Sequence, residues 1–224
     1  MRLSIIVPAL DEAERIGALL TGLQAMRARG ADVIVVDGGS TDATPTLAAP
    51  LADRVIAAPR GRARQMNAGA AQARGEVLLF LHADTTLPDD ADWHILDSLR
   101  QGKRVWGHFD VRINGRARTL RMVAALMNLR SRLSGIATGD QALFMTRAAF
   151  VSVGGFPDQP LMEDIELSRR LLTLSRPACL PGPAITSGRR WETRGVWRTI
   201  FLMWRLRWLY ARGVAPARLA ERYR

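Results

Sequence analysis

Val33-Ile34-Val35-Val36-Asp37-Gly38-Gly39-Ser40-Thr41-Asp42 decides the fold: an apolar, β-branched run stops on a carboxylate, turns through two glycines and ends in helix-capping residues. The same pattern recurs on either side. Upstream, Ile5-Ile6-Val7-Pro8 runs into Asp11-Glu12, and downstream Val77-Leu78-Leu79-Phe80-Leu81 runs into His82-Ala83-Asp84. Between the first two runs, Ile16, Leu19, Leu20, Leu23 and Met26 recur at helical spacing, which predicts one helix over 12–29 closed by Gly30. A short helix carrying Leu47, a brief strand at Val55-Ile56 and a helix over 62–74 complete the rhythm. Strands alternating with helices predict an α/β fold with a mainly parallel sheet and right-handed crossovers. In such sheets ligands bind outside the carboxyl ends of the strands, so the three acidic turns are expected to converge on one crevice. Carboxylates gathered there, in a basic chain, point to a divalent cation and an anionic ligand.

Beyond Asp84, Pro88 with Asp89, Asp90 and Asp92 opens a helix running to about Arg100, its acidic first turn complementing the helix dipole. Val105, Gly107, Phe109, Val111 and Ile113 alternate as a strand with one buried face. A helix over 120–133, a strand over 142–145, a Gly154-Gly155-Phe156-Pro157 loop and a helix over 164–174 follow. The 224 residues suffice for one large α/β domain, taken as 1–188, with a C-terminal appendage over 189–224.

Net charge is +11 and almost wholly arginine, since Lys103 is the sole lysine; this favours anionic ligands, nucleic acid or acidic headgroups without choosing among them. Cys179 is the sole cysteine, which excludes an intramolecular disulfide and a cysteine metal cluster. The N-terminus starts on a strand and lacks the features of a signal peptide, so a cytoplasmic location is the expectation. No segment reaches the roughly 18 uncharged apolar residues of a spanning helix. The best one, 196–214, is broken by Arg198, Arg205, Arg207 and Arg212.

Three places carry chemistry, each with a structural alternative. The glycines after Asp37 let backbone approach a ligand and expose helix N–H groups to an anion, or they form a tight turn with Ser40 or Asp42 as cap. Neither a Walker lysine nor a G-x-G-x-x-G fingerprint accompanies them. Asp84, closing a strand, suits Mg2+ or Mn2+ shared with substrate phosphate, or an ordinary turn. Glu163-Asp164 suits a general base, or the capped start of a helix.

Taken in order, Ser4 to Glu12, Val35 to Asp42, Arg60 with Asn67-Ala68-Gly69, Leu81 to Asp84, and Gly154-Gly155-Phe156 with Glu163-Asp164 resemble the family 2 glycosyltransferases over about residues 3–175. Leu81-His82-Ala83-Asp84, Arg189-Arg190-Trp191 and the Gly213-Val214 to Tyr223 ending are similar to a small bacterial branch associated with radical-SAM gene neighbourhoods and proposed arsenosugar biosynthesis. The resemblance implies a GT-A fold (Rossmann-like, of the nucleotide-diphospho-sugar transferases), a UDP- or GDP-sugar donor, Mn2+ or Mg2+, and inversion at the anomeric carbon. It implies that Pro8, Ala9, Glu12, Asp37, Gly39 and His82 line the nucleotide site and that Arg60, Arg64 and Asn67 help hold the nucleotide and diphosphate. Asp84 takes the place of the metal ligand, Asp164 that of the catalytic base with Glu163 beside it, and Asp140 and Gln141 fall where the acceptor site is shaped. Two departures stand out. His82 replaces the first aspartate of D-x-D, and Arg190-Trp191 matches the end of a processive-synthase Q-x-x-R-W whose glutamine position is Ser187. Arg190 and Trp191 are accordingly assigned to the acceptor side of a single-transfer enzyme. A nucleotidyltransferase, and a silent basic scaffold for membrane or nucleic acid, are the competing functions.

Trp197, Phe201, Trp204 and Trp208 recur at helical spacing among arginines. Such a helix suits an anionic bilayer or a lipid-linked acceptor, or else its aromatics cover the catalytic domain or a second copy.

Overall fold

β-branched runs and turn residues fold, in the computed structural model, into eight strands and eleven helices among the described residues. The structure describes residues 1–223; Arg224 and the side chain of Arg190 lie outside it. The order is β1 (Leu3–Ala9), α1 (Ala13–Gly22), α2 (Gln24–Ala28), β2 (Asp32–Asp37), α3 (Thr44–Ala48), β3 (Arg54–Ala57), α4 (Arg62–Gln72), β4 (Val77–Phe80), β5 (Thr85–Thr86), α5 (Ala91–Arg100), β6 (Trp106–Asn114) and α6 (Thr119–Ser134). After a 3-10 turn over Gly139–Gln141 come β7 (Phe144–Thr146), α7 (Arg147–Ser152), α8 (Glu163–Leu171), β8 (Ala178–Ser187), α9 (Arg189–Arg194), α10 (Val196–Ala211) and α11 (Pro216–Tyr223).

One sheet holds all strands, ordered β3-β2-β1-β4-β7-β6-β8-β5. The half formed by β3, β2, β1 and β4 is parallel, as the alternation predicts, with Ile5 opposite Val33 and Leu79. The other half departs from it: β7 runs antiparallel between β4 and β6, and β5 antiparallel to β8. Both faces of the sheet are covered, so its central strands read as continuous apolar runs. Ile5 and Val7 pack with Ile16, Leu20 and Ile95 on one face, while Ile6, Ile34 and Val36 pack with Met66, Phe150 and Leu167 on the other. Gly69 lets α4 lie close on the sheet, since a Cβ there would stand 2.5 Å from Cγ2 of Ile6.

The helix expected over 12–29 is two, α1 and α2, broken where Gly22 meets Leu23 and the Leu23 N–H reaches Leu20 O at 3.1 Å. β8 was not expected, because Pro181-Gly182-Pro183 reads as a loop. It forms because the three residues fall where the pairing with β6 jumps from Phe109–Leu180 to Val111–Ala184, so the prolines owe no ladder hydrogen bond. α6 stops at Gly135, whose φ of 73° is the left-handed cap a glycine favours.

Residues 189–223 pack on the sheet domain through two apolar clusters, one joining Trp191, Val196 and Ile200 to Val111, Ile113 and Leu120, the other joining Leu206 and Leu219 to Leu161, Met162 and Ile165. The aromatic stripe does not cover the catalytic domain: Trp197, Phe201 and Trp208 are exposed, and Trp204, also exposed, stands at the edge of a cleft, which leaves a bilayer, a lipid-linked acceptor or a second copy as its partner. Thr199 and Leu206, on the opposite face of α10, carry the packing.

Candidate active site

A cleft of about 970 Å³ opens at the carboxyl edge of the sheet, walled by the ends of β1 and β4, the start of α4, the 3-10 turn, the start of α8, and helices α6 and α10. Of the residues expected to act, Pro8, Ala9, Glu12, Arg60, His82, Asp84, Asp140, Glu163, Asp164 and Trp191 line it. Asp37, Gly39, Arg64, Asn67 and Gln141 do not. Arg190, also expected at the acceptor side, has its side chain outside the described residues.

The acidic turns converge only in part. Asp37 is spent locally, accepting from the Gly39 and Ser40 N–H groups at 3.1 Å each. Asp11, at φ 53°, accepts from Thr41 N at 2.7 Å, and Asp42 accepts from Ala13 N at 3.1 Å, so the turns after β1 and β2 are laced together. The Thr44 hydroxyl, bonded to Asp42, holds that carboxyl below the usual range. Glu12 is drawn to Arg15 at 2.8 Å and Asp84 is exposed at the cleft. Two of the three acidic turns thus serve as mutual caps, a competing use of aspartate that sequence spacing does not distinguish from ligand binding.

Asn67 holds the Gly155-Phe156 loop to α4, its Nδ2 donating to Phe156 O at 2.8 Å and its Oδ1 accepting from Phe156 N at 3.0 Å. Arg64 pairs with Asp158 at 2.8 Å on the surface. Gln141 is fully buried, its Nε2 donating to Ser131 Oγ at 2.9 Å.

Deep in the cleft, Glu163 and Asp164 open α8. Glu163 is buried and meets Nη1 of Arg62 at 3.2 Å. Asp164 has no cation partner among the described residues; its oxygens accept from Gly139 N at 3.0 Å and Ile165 N at 2.8 Å. Burial, then the neighbouring Glu163 charge, pushes the Asp164 carboxyl up to about 6, while the Gly139 N–H and Arg62 pull the other way. Burial works against the Arg62 charge, but Glu163, Asp164 and Asp140 outweigh it and hold the guanidinium protonated. His82 lies over Gly139, where an added Cβ would come 2.3 Å from its Cε1, and its Nδ1 stands 3.5 Å from Asp140.

Sequence reasoning missed four residues of this site. Arg62 and Gln65 share the cleft-facing side of α4, and Gln65 Nε2 ties the ends of β1 and β2 by donating to Ala9 O and Val36 O at 2.8 Å each. Their i, i+3 spacing was the available signal, hidden by the neighbouring Arg60 and Arg64. Arg130 and Arg207 also line the cleft, from helices far apart in sequence.

For a divalent ion, the donor set fits a site that substrate completes: Asp84 offers an exposed carboxylate, and such ions commonly use one or two protein carboxylates with substrate phosphates.

Fold and site define an α/β enzyme whose crevice lies at the carboxyl edge of its sheet. Residues 4–151 match the model of glycosyl transferase family 2, and the chain belongs to that family. The poly-beta-1,6-N-acetyl-D-glucosamine synthase of Staphylococcus aureus (strain COL) is 23% identical over 186 residues, covering 75% of this chain and 45% of the synthase. The chain therefore spans less than half the length of that relative. Among solved structures, the 1–349 fragment of S. aureus TarS in complex with UDP-GlcNAc superposes with a TM-score of 0.68 at 19% identity, over 84% of this chain and 58% of that one. A mannosyltransferase from Pyrobaculum calidifontis in complex with GDP-Man and Mn2+ gives a TM-score of 0.65 at 22% identity, over 83% of this chain and 56% of that one. The fold is that of the GT-A glycosyltransferases, and family membership favours a glycosyltransferase over the nucleotidyltransferase and the silent scaffold.

Proposed function

We propose that the protein is an inverting, metal-dependent glycosyltransferase that moves a single sugar from a UDP- or GDP-sugar to an acceptor hydroxyl. The observation that carries this reading is Asp164, a carboxyl with no cation partner among the described residues, held at about 6 in the cleft that Ala9 and Asp84 also line. A base with that value is ionised at neutral pH yet basic enough to take a hydroxyl proton. In the step, the acceptor oxygen bonds to the anomeric carbon, its proton passes to Asp164, and the bond from that carbon to the diphosphate breaks, releasing the nucleoside diphosphate. Arg60 and Arg62, which line the cleft, would meet the negative charge that grows on the leaving group. Asp84 would hold a divalent ion, which when bound supplies further neutralisation of the diphosphate. Pro8, Ala9, Glu12 and His82 form the wall for the nucleotide, with Asp37 and Gly39 in the turn behind it. Asp140 and Trp191 flank the acceptor side, to which the sequence resemblance also assigns Arg190.

The solved relatives that hold UDP-GlcNAc, and GDP-Man with Mn2+, support the donor class and the ion. The branch associated with radical-SAM neighbourhoods is the placement we adopt within the family, on its sequence resemblance. A cytoplasmic enzyme, peripheral on the inner face of the membrane, is the corresponding location; no helix among the described residues is long and apolar enough to cross a bilayer.

The test is a melting-temperature panel of UDP, GDP and their sugar conjugates with Mn2+, Mg2+ or EDTA, since ligands bound only by the folded state raise apparent stability. One nucleotide should stabilise the protein in the presence of metal. No response to any of them from a folded sample would overturn the reading.

A further inference from the structure

Arg130 sits on α6 facing the cleft, with Nε and Nη2 buried and without a hydrogen-bond partner among the described residues. Two guanidinium nitrogens held out of water with no acceptor carry a cost that a ligand reaching the group would offset. Burial lowers its pKa, while the charges of Asp164 and Asp140 hold it up from beyond ion-pair distance. Arg207, on α10, lines the same cleft with a buried, unpaired Nε. Arg54 shows what a structural arginine looks like here: its Nε is also unpaired, but its Nη2 rests on Asp32 at 2.6 Å. Two helices distant in sequence therefore each bring an arginine with unanswered donors to the cleft that Asp164 also lines.

The wall around these donors is apolar and open to water. Leu126, Leu129 and Leu133 of α6 and Trp204 of α10 line the cleft, yet Leu133 is 70% and Trp204 63% exposed. The surface continues along α10 through Trp197, Phe201 and Trp208, which with Trp204 share one helix face. Arg198, Arg205 and Arg212 border it, and the Arg212 guanidinium stacks 4.4 Å above the Trp208 ring. Exposed aromatics bordered by arginines on a helix without a spanning segment match the interface of an acidic bilayer.

Resting on the glycosyltransferase reading above, we infer that the acceptor is an anionic phospholipid with a free headgroup hydroxyl. Its phosphate lies on Arg130 and Arg207, its hydrocarbon leaves over Leu126, Leu129, Leu133 and Trp204, and α10 rests on the bilayer that holds it. The headgroup oxygen bonds to the anomeric carbon, its proton goes to Asp164, and the nucleoside diphosphate departs with the electrons of the broken bond.

Phosphatidylglycerol and phosphatidylinositol are the probes, carried in phosphatidylcholine vesicles and supplied with whichever sugar nucleotide raises the melting temperature. Wild type should float with the acidic vesicles, not with phosphatidylcholine alone, and should glycosylate one of the two lipids. Arg130→Gln should raise the KM for that lipid about 10- to 100-fold, the loss of a charge-assisted contact, and leave the nucleotide-induced melting shift intact; Arg207→Gln gives a second reading if Arg130→Gln does not fold. Combined W197S, F201S and W208S, all outside the cleft, should abolish flotation yet preserve the melting shift and transfer to a short-chain, water-soluble form of the lipid. Failure of wild type to float, absence of transfer to either lipid, or an unchanged lipid KM in Arg130→Gln overturns the inference. A melting shift that persists through any of these leaves the donor reading standing, whereas its absence in wild type removes that reading first.

Discussion

Replacing Asp164 by Asn removes the charge that makes this carboxyl expensive, and the effect on stability has a defined sign. Below about pH 3.8 the group is protonated in folded and unfolded chains alike. As pH rises, the unfolded chain releases its proton first, so wild-type stability falls until the folded group ionises at about 6 and then levels off. Holding a carboxyl at about 6 rather than 3.8 costs the folded state ~3 kcal/mol at pH 8 and ~1.6 kcal/mol at pH 5. Asparagine escapes that cost but can accept from only one of the two N–H groups, Gly139 or Ile165, that the carboxylate now satisfies, a loss of about 1 kcal/mol. The variant should therefore be about 2 kcal/mol more stable than wild type at pH 8 and within about 1 kcal/mol of it at pH 5. Urea unfolding of both proteins at the two pH values measures this directly. Sugar transfer should fall by about 10²–10⁴ in the same variant, the usual worth of a general base, with nucleotide binding retained. A stability difference that does not change between pH 5 and pH 8 would refute the electrostatic account of Asp164, and undiminished transfer would refute its role as base.

Arg62→Met takes away the cation that offsets the Glu163 and Asp164 charges, so the Asp164 value rises further and the acid limb of the pH–rate profile moves above its wild-type midpoint near 6; a limb that stays in place refutes the coupling. Asp84→Ala should erase the difference between Mn2+ and EDTA in nucleotide-induced stabilisation while leaving the metal-free melting temperature almost unchanged, because the side chain is exposed and carries no packing. Asn67→Ala releases the Phe156 backbone from α4 and should cost about 1–3 kcal/mol in urea unfolding, with a far smaller effect expected if the loop is held by Phe156 packing alone.

The parallel half of the sheet was legible because burial on both faces writes itself into sequence as unbroken runs such as Val33 to Val36. The other half was not. β8 has a Pro-Gly-Pro that reads as a loop and becomes tolerable only at the bulge opposite Phe109 and Val111, a fact about a partner strand some 70 residues away. The same distinction governs the site. Motif order pointed to Asp84 and Asp164, which line the cleft, whereas Asp37 and Asn67 have side chains committed to Gly39, Ser40 and Phe156. Arg62, Arg130 and Arg207 were invisible because arginine is everywhere in this chain, and what sets them apart is burial and pairing. Periodicity likewise put Trp197, Phe201, Trp204 and Trp208 on one face of a helix without saying which way that face turns; Leu206 and Thr199, packed on the opposite side, decide it.

Two adjacent carboxyls at the head of α8 raise the question of which would serve as base, and their surroundings divide the roles. Glu163 points into protein, almost wholly buried, with Arg62 to answer its charge. Its carboxyl is engaged with that cation and is the less accessible of the two to an incoming hydroxyl. Asp164 is the less buried of the two cleft carboxyls, accepts one backbone N–H on each oxygen, and retains a lone pair on each for an incoming hydroxyl. Its proton affinity is raised by burial and by the Glu163 charge and is lowered by Arg62, so the Glu163–Arg62 pair acts on the reaction through its neighbour. Glu163→Gln would on this account leave Asp164 as the base but weaken it, moving the acid limb below its wild-type midpoint, the direction opposite to Arg62→Met. Two substitutions on one ion pair that move the same limb in opposite directions cannot be explained by a general loosening of the site, which would shift both the same way.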